Sequence, residues 1–241
     1  MTTSDRANTL EIAELFGPTV QGEGPSLGRP AGFLRLGGCN FTCLWCDSAY
    51  TWDATRFDLR VELDRRDVAD VAEQLRAMAV GLVVITGGEP LMQQRTPGFA
   101  ALLGLLADLD IEIETNGSIH PTDALMDNAT VRFNVGLKLA NSGVPEHLRI
   151  RAASLRAFWR LAGEGRACFK AVCCHRGDVA ELAGLVDRLE LDPATVWVMP
   201  EGQTDLDTVH HLRRIAEPAI QYGFNITPRL HISIWETERG R

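Results

Sequence analysis

Three cysteines lie close together in the stretch CNFTCLWCDS. Cys39, Cys43 and Cys46 are spaced by four and three residues, so one tight loop could present three thiolates to a metal centre. A closed zinc site would usually add a fourth Cys or His at similarly short spacing. Here the next cysteine is Cys168 and the nearest histidine is His120. The fourth ligand therefore either comes from far along the chain or is not part of the protein.

The cysteine spacing favours an iron–sulfur cluster. Thiolates are soft ligands that suit such clusters, and a short loop can wrap one corner of a cubic 4Fe–4S cluster. Three protein ligands would leave one iron open, which is useful only if another molecule binds there. A zinc site or a purely structural site is the alternative, but Cys-x3-Cys-x2-Cys directly after Gly37-Gly38 is an unusually specific pattern.

Composition limits the classes of protein. A chain of 241 residues with 45% hydrophobic content can build one substantial core, so we predict a single domain spanning residues 1–241. The net charge of −8 argues against tight binding to nucleic acid or to an anionic membrane. We find no signal peptide and no apolar run of membrane-helix length, and six cysteines without a disulfide pattern fit a reducing compartment, so we predict a cytoplasmic protein.

Short β-rich runs alternate with helical patterns along the chain. The runs that predict strands are 32–36, 82–86, 111–114, 131–135, 169–173 and 195–199. The patterns that predict helices are 66–79, 98–109, 149–162, 178–190 and 205–221, and residues 136–147 resemble an irregular loop. The charged run from Glu62 to Asp67 is interpreted as a solvated helix start. This alternation predicts an α/β fold of parallel strands with crossover helices.

Glycine-rich and polar residues follow five of the six predicted strands. They are Gly37-Gly38-Cys39, Gly87-Gly88-Glu89-Pro90, Thr115-Asn116-Gly117, Gly136-Leu137-Lys138 and Pro200-Glu201-Gly202. A β/α barrel collects its active site at the C-terminal ends of its strands, whereas an open doubly wound sheet typically uses one switch point. With about six strands, we predict an incomplete parallel β/α barrel.

The cysteine motif resembles the signature of the radical S-adenosylmethionine (SAM) enzymes, including the aromatic Trp45 just before Cys46. In that family the amino and carboxylate groups of SAM chelate the open iron, so the missing ligand would be the cosubstrate. The resemblance implies a 4Fe–4S cluster, SAM, and a reducing electron donor of the flavodoxin or ferredoxin kind. It also implies the radical SAM type of incomplete barrel.

A closer resemblance covers most of the chain. The stretch IAELFGPTVQGEGPSLGRPAGFLRLGGCNFTCLWCDS and the tail RLHISIW are similar to the 7-carboxy-7-deazaguanine synthase family. Such enzymes convert 6-carboxy-5,6,7,8-tetrahydropterin into 7-carboxy-7-deazaguanine with loss of ammonia, on the route to 7-deazapurines such as queuosine. The resemblance implies a small pterin substrate and a homodimer.

Motif matches to the family give the expected cosubstrate contacts. They are Gly88, Glu89, Glu114, Asn116, Gly136, Leu137, Lys138, Met199, Pro200 and Glu201. Taken alone, GGEP could be an ordinary turn, and Glu114 and Asn116 could belong to a capped turn. The family commonly has Ser-Pro-Lys where this chain has Gly136-Leu137-Lys138, so a serine hydroxyl and a rigid proline are absent here.

The same comparison gives the expected substrate contacts, which are Val20, Gln21, Gly22, Glu23, Arg35, Thr86 and His231. A guanidinium at Arg35 can pair the pterin carboxylate in two-point geometry. Alternatives remain open for three of them: a solvated strand residue for Arg35, a plain β-branched strand residue for Thr86, and a structural histidine for His231.

Ser48 is expected to bind Mg²⁺, because the family commonly has Thr or Ser two residues after the last cluster cysteine. Mg²⁺ prefers oxygen ligands and keeps water or substrate in its remaining positions. The alternative is a loop serine that caps the backbone after Asp47.

Two other functions share some of these features. An activase that abstracts hydrogen from a glycine of a partner protein would have the same cysteine pattern, but would not need the QGEG segment or Arg35. A non-enzymatic zinc- or iron-binding module is the third class. Cys168, Cys173 and Cys174 lack cluster spacing, and we interpret them as small buried side chains on a strand.

Overall fold

One mostly parallel sheet organises the computed structural model, which describes residues 8–241. Its strands are β1 (Thr9–Val20), β2 (Pro30–Leu36), β3 (Asp64–Asp67), β4 (Leu82–Gly87), β5 (Asp110–Thr115), β6 (Val131–Leu137), β7 (Ala167–Cys173), β8 (Val196–Pro200) and β9 (Asn225–Ile226). Their spatial order is β3-β1-β2-β4-β5-β6-β7-β8-β9. Pairing is parallel from β2 to β9 and antiparallel where β1 meets β2 and β3.

A helix follows each strand from β2 onward. The helices are α1 (Leu59–Glu62), α2 (Val68–Ala77), α3 (Pro97–Leu105), α4 (Asp123–Met126), α5 (Glu146–Arg149), α6 (Ala152–Gly163), α7 (Arg176–Leu189), α8 (Asp205–Gln221) and α9 (Leu230–Trp235). The six strands predicted from the sequence are β2, β4, β5, β6, β7 and β8, and they are consecutive in the sheet. With β3 and β9 as its two edges, the sheet is open, so the incomplete parallel β/α barrel is confirmed.

The two faces of the sheet differ in polarity because side chains alternate along each strand. Val83 and Ile85 on β4, and Phe133 and Val135 on β6, pack into the main hydrophobic core with residues of α2, α3, α6 and α7. The residues between them face the concave side. There the neighbouring strands place polar side chains level with one another: Arg35 pairs in register with Thr86, and Glu114 with Asn134.

The N-terminal edge of the sheet was not predicted. β1 extends the sheet beyond β2, and residues Thr9–Ile12 pair with β3. The interpretation of Glu62–Asp67 as a solvated helix start is therefore wrong, because Asp64–Asp67 is a charged edge strand. Charged side chains are tolerated at such an edge because both faces of a short outer strand remain largely in water.

Helix α2 begins two residues later than predicted because Asp67 caps it, its side chain accepting a hydrogen bond from the backbone N–H of Ala69. Residues 136–147 are only partly irregular. Strand β6 continues to Leu137, a short 3-10 turn spans Ala140–Ser142, and α5 begins at Glu146. Within residues 8–241, no helix is long and apolar enough to cross a membrane. The single-domain prediction for 1–241 stays a prediction, and its first seven residues lie outside the described part.

Candidate active site

The cysteine loop follows β2 directly and is tied down on several sides. The N–H of Gly38 donates to the carbonyl of Thr51 (2.8 Å), and the N–H of Leu44 donates to the carbonyl of Ser142 (3.0 Å). Gly38 has a φ of +84°, a left-handed conformation that glycine adopts without strain. These contacts fix the loop against both the Ala49–Thr51 turn and the Ala140–Ser142 turn.

Cys39, Cys43 and Cys46 all carry free thiols in an apolar setting. Phe41, Cys43 and Val144 form a small buried cluster against which the other two cysteines pack. Burial raises the pKa of the Cys39 thiol to about 12 and also raises that of Cys43. Bound iron would favour the thiolate form in such a pocket, because a metal cation deprotonates its thiol ligands. The donor set therefore fits a thiolate-bound cluster.

Trp52 adds a donor that the sequence did not indicate. Its indole N–H lies 3.4 Å from the sulfur of Cys46. An N–H group that points at a thiolate stabilises its charge, and hydrogen bonds to sulfur also tune the potential of a cluster. On the other side of the loop, the ammonium of Lys138 lies 5.4 Å from the ring centroid of Trp45. This is within the range of a cation–π interaction.

Gly88 and Glu89 join the end of β4 to the cysteine loop. A Cβ at Gly88 would overlap the carbonyl of Gly38 and crowd the Cβ of Cys39, so only glycine permits this approach. Glu89 is fully buried, and its carboxylate accepts hydrogen bonds from the N–H of Leu91 (3.0 Å), the N–H of Asn116 (2.6 Å) and the hydroxyl of Thr115 (2.8 Å). Burial raises the pKa of Glu89 against the opposing effect of these donors.

At the end of β6, where this chain departs from the family pattern, Gly136 lies beside the side chain of Lys138. A Cβ at position 136 would lie only 2.9 Å from the ammonium nitrogen of Lys138. Gly136 thus leaves room for the Lys138 side chain to fold back beside its own strand. Leu137 points the other way and is part of the hydrophobic core.

A cavity of about 470 Å³ lies at the C-terminal ends of the strands. Eighteen of the twenty-one predicted site residues line it: Val20, Gln21, Gly22, Glu23, Arg35, Cys39, Cys43, Cys46, Ser48, Thr86, Gly88, Glu114, Asn116, Gly136, Lys138, Met199, Glu201 and His231. Glu89, Leu137 and Pro200 do not line it; all three are buried. One cavity thus brings together the predicted metal, cosubstrate and substrate residues.

Arg35 lies in this cavity beside Glu14 and Tyr50. Its Nε donates to Glu14 Oε2 (2.9 Å), which also accepts from the Tyr50 hydroxyl (2.6 Å). Burial alone would lower the pKa of Arg35, but Tyr50, Glu14 and Asp47 together raise it. Arg35 is therefore mostly buried and charged, not the solvated strand residue that was its alternative.

A buried ion network surrounds Glu23. Its carboxylate pairs with the Lys170 ammonium and with the Arg229 guanidinium (Nε to Oε1, 3.2 Å), and Arg229 also pairs with Asp47. Burial alone would raise the pKa of Glu23, but the charges of Lys170, Arg229 and His231 outweigh burial and hold its pKa well below its usual range. His231 lies 3.9 Å from the same carboxylate, and its ring packs against Gly22.

A second polar group supports Gln21. Its side-chain amide donates to Glu112, which also accepts from the Ser26 hydroxyl (2.6 Å) and from the Asn134 amide (2.8 Å). Burial raises the pKa of Glu112. These hydrogen bonds to Glu112 fix the Gln21 side chain at the cavity wall.

Ser48 is the residue before the Ala49–Thr51 turn, and its hydroxyl makes no capping hydrogen bond there. The turn is instead closed by the Ser48 carbonyl, which accepts from the hydroxyl (2.8 Å) and the N–H (2.9 Å) of Thr51. The Ser48 hydroxyl faces the cavity, 3.8 Å from the sulfur of Cys46. The capping alternative is therefore wrong, and the oxygen remains available for a cation.

The remaining cysteines differ from one another. Cys168 and Cys173 are buried on β7, as predicted, but Cys174 is only half-buried and lies past the end of that strand. It lies near Glu201 and His211, with one possible ligand atom of each within 4.8 Å of the others.

Several residues that line the cavity, or that hold its lining residues in place, were not predicted from the sequence. They are Glu14, Asp47, Tyr50, Trp52, Glu112, Asn134, Lys170 and Arg229. A signal existed for three of them. Glu112, Asn134 and Lys170 interrupt apolar runs at alternate positions of β5, β6 and β7, which is what a polar barrel interior requires. For Arg229, Tyr50 and Glu14 the sequence offers no comparable pattern.

Comparison with known proteins agrees with this geometry. The profile of the Radical SAM superfamily matches residues 34–175. Proteins named 7-carboxy-7-deazaguanine synthase are similar along nearly the whole chain. The one from Pyrobaculum aerophilum is 37% identical over 96% of this chain and 97% of its own length, and the one from Hyperthermus butylicus is 34% identical over 96% and 95%.

The fold has a solved counterpart in the crystal structure of QueE from Escherichia coli. It superposes with a TM-score of 0.69 at 23% identity and covers 92% of this chain and 95% of that one. An incomplete barrel with three thiols at the end of its first parallel strand is the architecture of a radical SAM enzyme. The chain belongs to the radical SAM superfamily and, within it, to the family of the 7-carboxy-7-deazaguanine synthases.

Proposed function

We propose that this enzyme converts 6-carboxy-5,6,7,8-tetrahydropterin into 7-carboxy-7-deazaguanine and ammonia. The conversion is redox-neutral overall, because the product and ammonia together contain all the atoms of the substrate. The observation that carries the proposal is the single cavity in which eighteen predicted site residues meet. The activase and the metal-binding module have no comparable support, since the similar proteins from Pyrobaculum aerophilum, Hyperthermus butylicus and Halobacterium salinarum carry the synthase name.

Cys39, Cys43 and Cys46 hold the cluster in this proposal. When bound, the cluster and SAM supply a one-electron cleavage of the sulfonium that generates a 5′-deoxyadenosyl radical. The chain positions SAM with the backbone around Gly88, the strand ends at Glu114 and Asn116, and the segments at Gly136–Lys138 and Met199–Glu201. Glu89 acts indirectly, because its carboxylate fixes the β4 and β5 ends that face the cosubstrate.

The substrate end is lined by Arg35, Gln21 and Glu23. Arg35 can pair the pterin carboxylate through its two terminal nitrogens, which have no hydrogen-bond partner among residues 8–241. Charge-assisted pairs of this kind are short and directional, so they orient a ligand as well as bind it. Val20, Gln21, Gly22, Glu23, Thr86 and His231 complete the wall around the donor- and acceptor-rich pterin edge.

Ser48 supplies the one protein oxygen of the proposed Mg²⁺ site, and substrate oxygens and water would supply the others. Its support is the hydroxyl that faces the cavity without a capping role. The homodimer, the flavodoxin-like or ferredoxin-like donor, the cytoplasmic location and the absence of nucleic-acid binding stay predictions from the sequence.

The test is turnover of the isolated enzyme. Anaerobically reconstituted protein with reductant, SAM and Mg²⁺ should consume the pterin and release 7-carboxy-7-deazaguanine, as measured by mass spectrometry, without any protein partner. Protein with Cys39→Ala is the negative control. Cleavage of SAM without consumption of the pterin would contradict the proposed substrate.

A further inference from the structure

The C-terminal tail after α9, residues 236–241, borders the cavity. Helix α9 ends at Trp235, and Glu236 takes a left-handed φ of 52° where the chain turns. The tail then runs past Phe16, whose Cβ is near Gly240. The tail lies beyond the RLHISIW motif, which ends at Trp235.

Arg239 is the residue that attaches the tail. Its Nε donates to Glu14 Oε1 (3.1 Å), and its Nη2 donates to Glu62 Oε2 (2.9 Å). The guanidinium carbon lies 3.6 Å from the centroid of the Tyr50 ring, close enough for a cation–π interaction. One side chain therefore connects the tail to β1, α1 and the turn after the cysteine loop.

Glu14 lies between two guanidinium groups. One of its oxygens accepts from Arg35 and from the Tyr50 hydroxyl, and the other accepts from Arg239. Glu14 is only 15% exposed, so its charge is poorly screened by water. Without Arg239, the positive charge of Arg35 would be neutralised by Glu14. An incoming substrate carboxylate would then meet no net positive charge and would be repelled by the nearby Glu14 carboxylate.

We propose that Arg239 is a positioning residue for the carboxylate of the substrate. By pairing with Glu14, which is more buried than its other partner Glu62, Arg239 leaves the charge of Arg35 available for the pterin carboxylate. The inference rests on the proposed function, because it takes the ligand of Arg35 to be that carboxylate. It also assigns a role to the tail, which holds Arg239 at the cavity wall.

The experiment is equilibrium binding to anaerobic holoenzyme with an oxidised cluster and saturating SAM, so that no turnover occurs. Arg239→Gln should raise the Kd for the carboxylated pterin about tenfold, as expected for one charge acting through a neighbour. The Kd for SAM should not change. Arg241→Gln is the matched control, because Arg241 is in the same tail but, among residues 8–241, its side chain bonds to Glu238 and not to Glu14.

Two further measurements separate charge compensation from simple attachment of the tail. The double variant Glu14→Gln with Arg239→Gln should recover most of the lost affinity, because no carboxylate remains to be compensated. A tetrahydropterin that lacks the 6-carboxylate should bind wild type and Arg239→Gln equally. A double variant as weak as the single one, or an equal loss with the ligand lacking the carboxylate, would overturn the inference.

Failure of the proposed function gives a different result. In that case wild-type holoenzyme would not bind the carboxylated pterin at all. Wild type that binds the pterin, together with Arg239→Gln that binds it equally well, would contradict the role of Arg239 alone.

Discussion

Individual residues in the cysteine loop are distinguished by where their side chains point. Cys39, Cys43 and Cys46 face the cavity, whereas Cys173 is fully buried on the helix-facing side of β7. The short spacing of the three loop cysteines predicts that their thiols lie close together, and the absence of such spacing at Cys173 predicts a separate buried thiol. Trp52 could not be predicted in the same way, since its contact with Cys46 depends on how the following turn folds back.

Changing any one of the three loop cysteines to Ala should abolish cluster binding, because three ligands are already a minimal set. Iron content should fall from about four atoms per chain to nearly none after anaerobic reconstitution, and SAM cleavage should be lost. Cys173→Ala is the matched control and should keep both. Normal iron content in a single loop variant would contradict the ligand assignment.

Ser48 gives a residue-scale prediction about magnesium. In wild type, activity should rise with added Mg²⁺. In Ser48→Ala, the Mg²⁺ concentration for half-maximal activity should increase at least about tenfold while iron content stays normal. Ser233→Ala, an exposed serine on α9, should behave as wild type. An identical magnesium response in Ser48→Ala and wild type would show that the hydroxyl is not a ligand.

At the scale of elements, buried strands could be predicted and edge strands could not. Strands β4 to β8 carry apolar side chains on the face that the helix layer covers. This burial makes the strands recognisable from their amino-acid composition. β3 has the sequence DRRD, whose four charged residues carry no burial signal, and β9 has only two residues. β1 contains Gly17-Pro18, which resembles a turn, although pairing with β2 continues on both sides of it.

The ends of β4 and β5 are held together by one carboxylate, that of Glu89. Replacing Glu89 by Gln puts an amide in place of one acceptor oxygen, so at least one of its three buried donors loses its partner. We expect the free energy of unfolding in urea to fall by about 1–3 kcal/mol. Glu73→Gln, on the exposed face of α2, is the control and should change it by less than about 0.5 kcal/mol.

The Glu89 variant also separates two roles. Unchanged stability combined with lost SAM binding would mean that the carboxylate contacts the cosubstrate directly, as the motif predicted. Lower stability with a comparatively small change in the Kd for SAM is the result expected from its burial behind the cavity wall.

At the scale of the whole molecule, the ion network around Glu23 joins parts that are far apart in sequence. Glu23 follows β1, Asp47 lies in the cysteine loop, Lys170 is on β7 and Arg229 precedes α9. The N-terminal segment, the cluster loop and the C-terminal segment are thus fastened to the sheet at one place. Because the partners are separated by up to about two hundred residues, no local sequence pattern could indicate the network.

The ion network around Glu23 predicts how the stability of the fold changes at acid pH. The charges of Lys170 and Arg229 hold the pKa of Glu23 below its unfolded value of about 4.3. A lowered carboxyl pKa stabilises the fold above the unfolded pKa, and that stabilisation is lost as the pH falls through the folded pKa. Glu23→Gln should therefore cost about 3–5 kcal/mol at pH 7, because Lys170 and Arg229 each lose one of their buried carboxylate partners. The difference in the free energy of unfolding between wild type and Glu23→Gln should narrow as the pH falls below about 4.3.

Glu112→Gln is the control, because its effect on stability should depend on pH in the opposite direction. For wild type and both variants, the free energy of unfolding is measured in urea on cluster-free protein. Burial raises the pKa of Glu112, so its neutral form is the one favoured by folding. The stability contributed by that carboxyl is complete below its unfolded pKa and declines as the pH rises through the raised folded pKa. The advantage of wild type over Glu112→Gln should therefore shrink toward neutral pH, whereas its advantage over Glu23→Gln shrinks toward acid. If the difference in unfolding free energy between wild type and variant narrowed in the same pH direction for both variants, a nonspecific effect of acid on the fold would explain the data. The Glu23 network would then not be the cause.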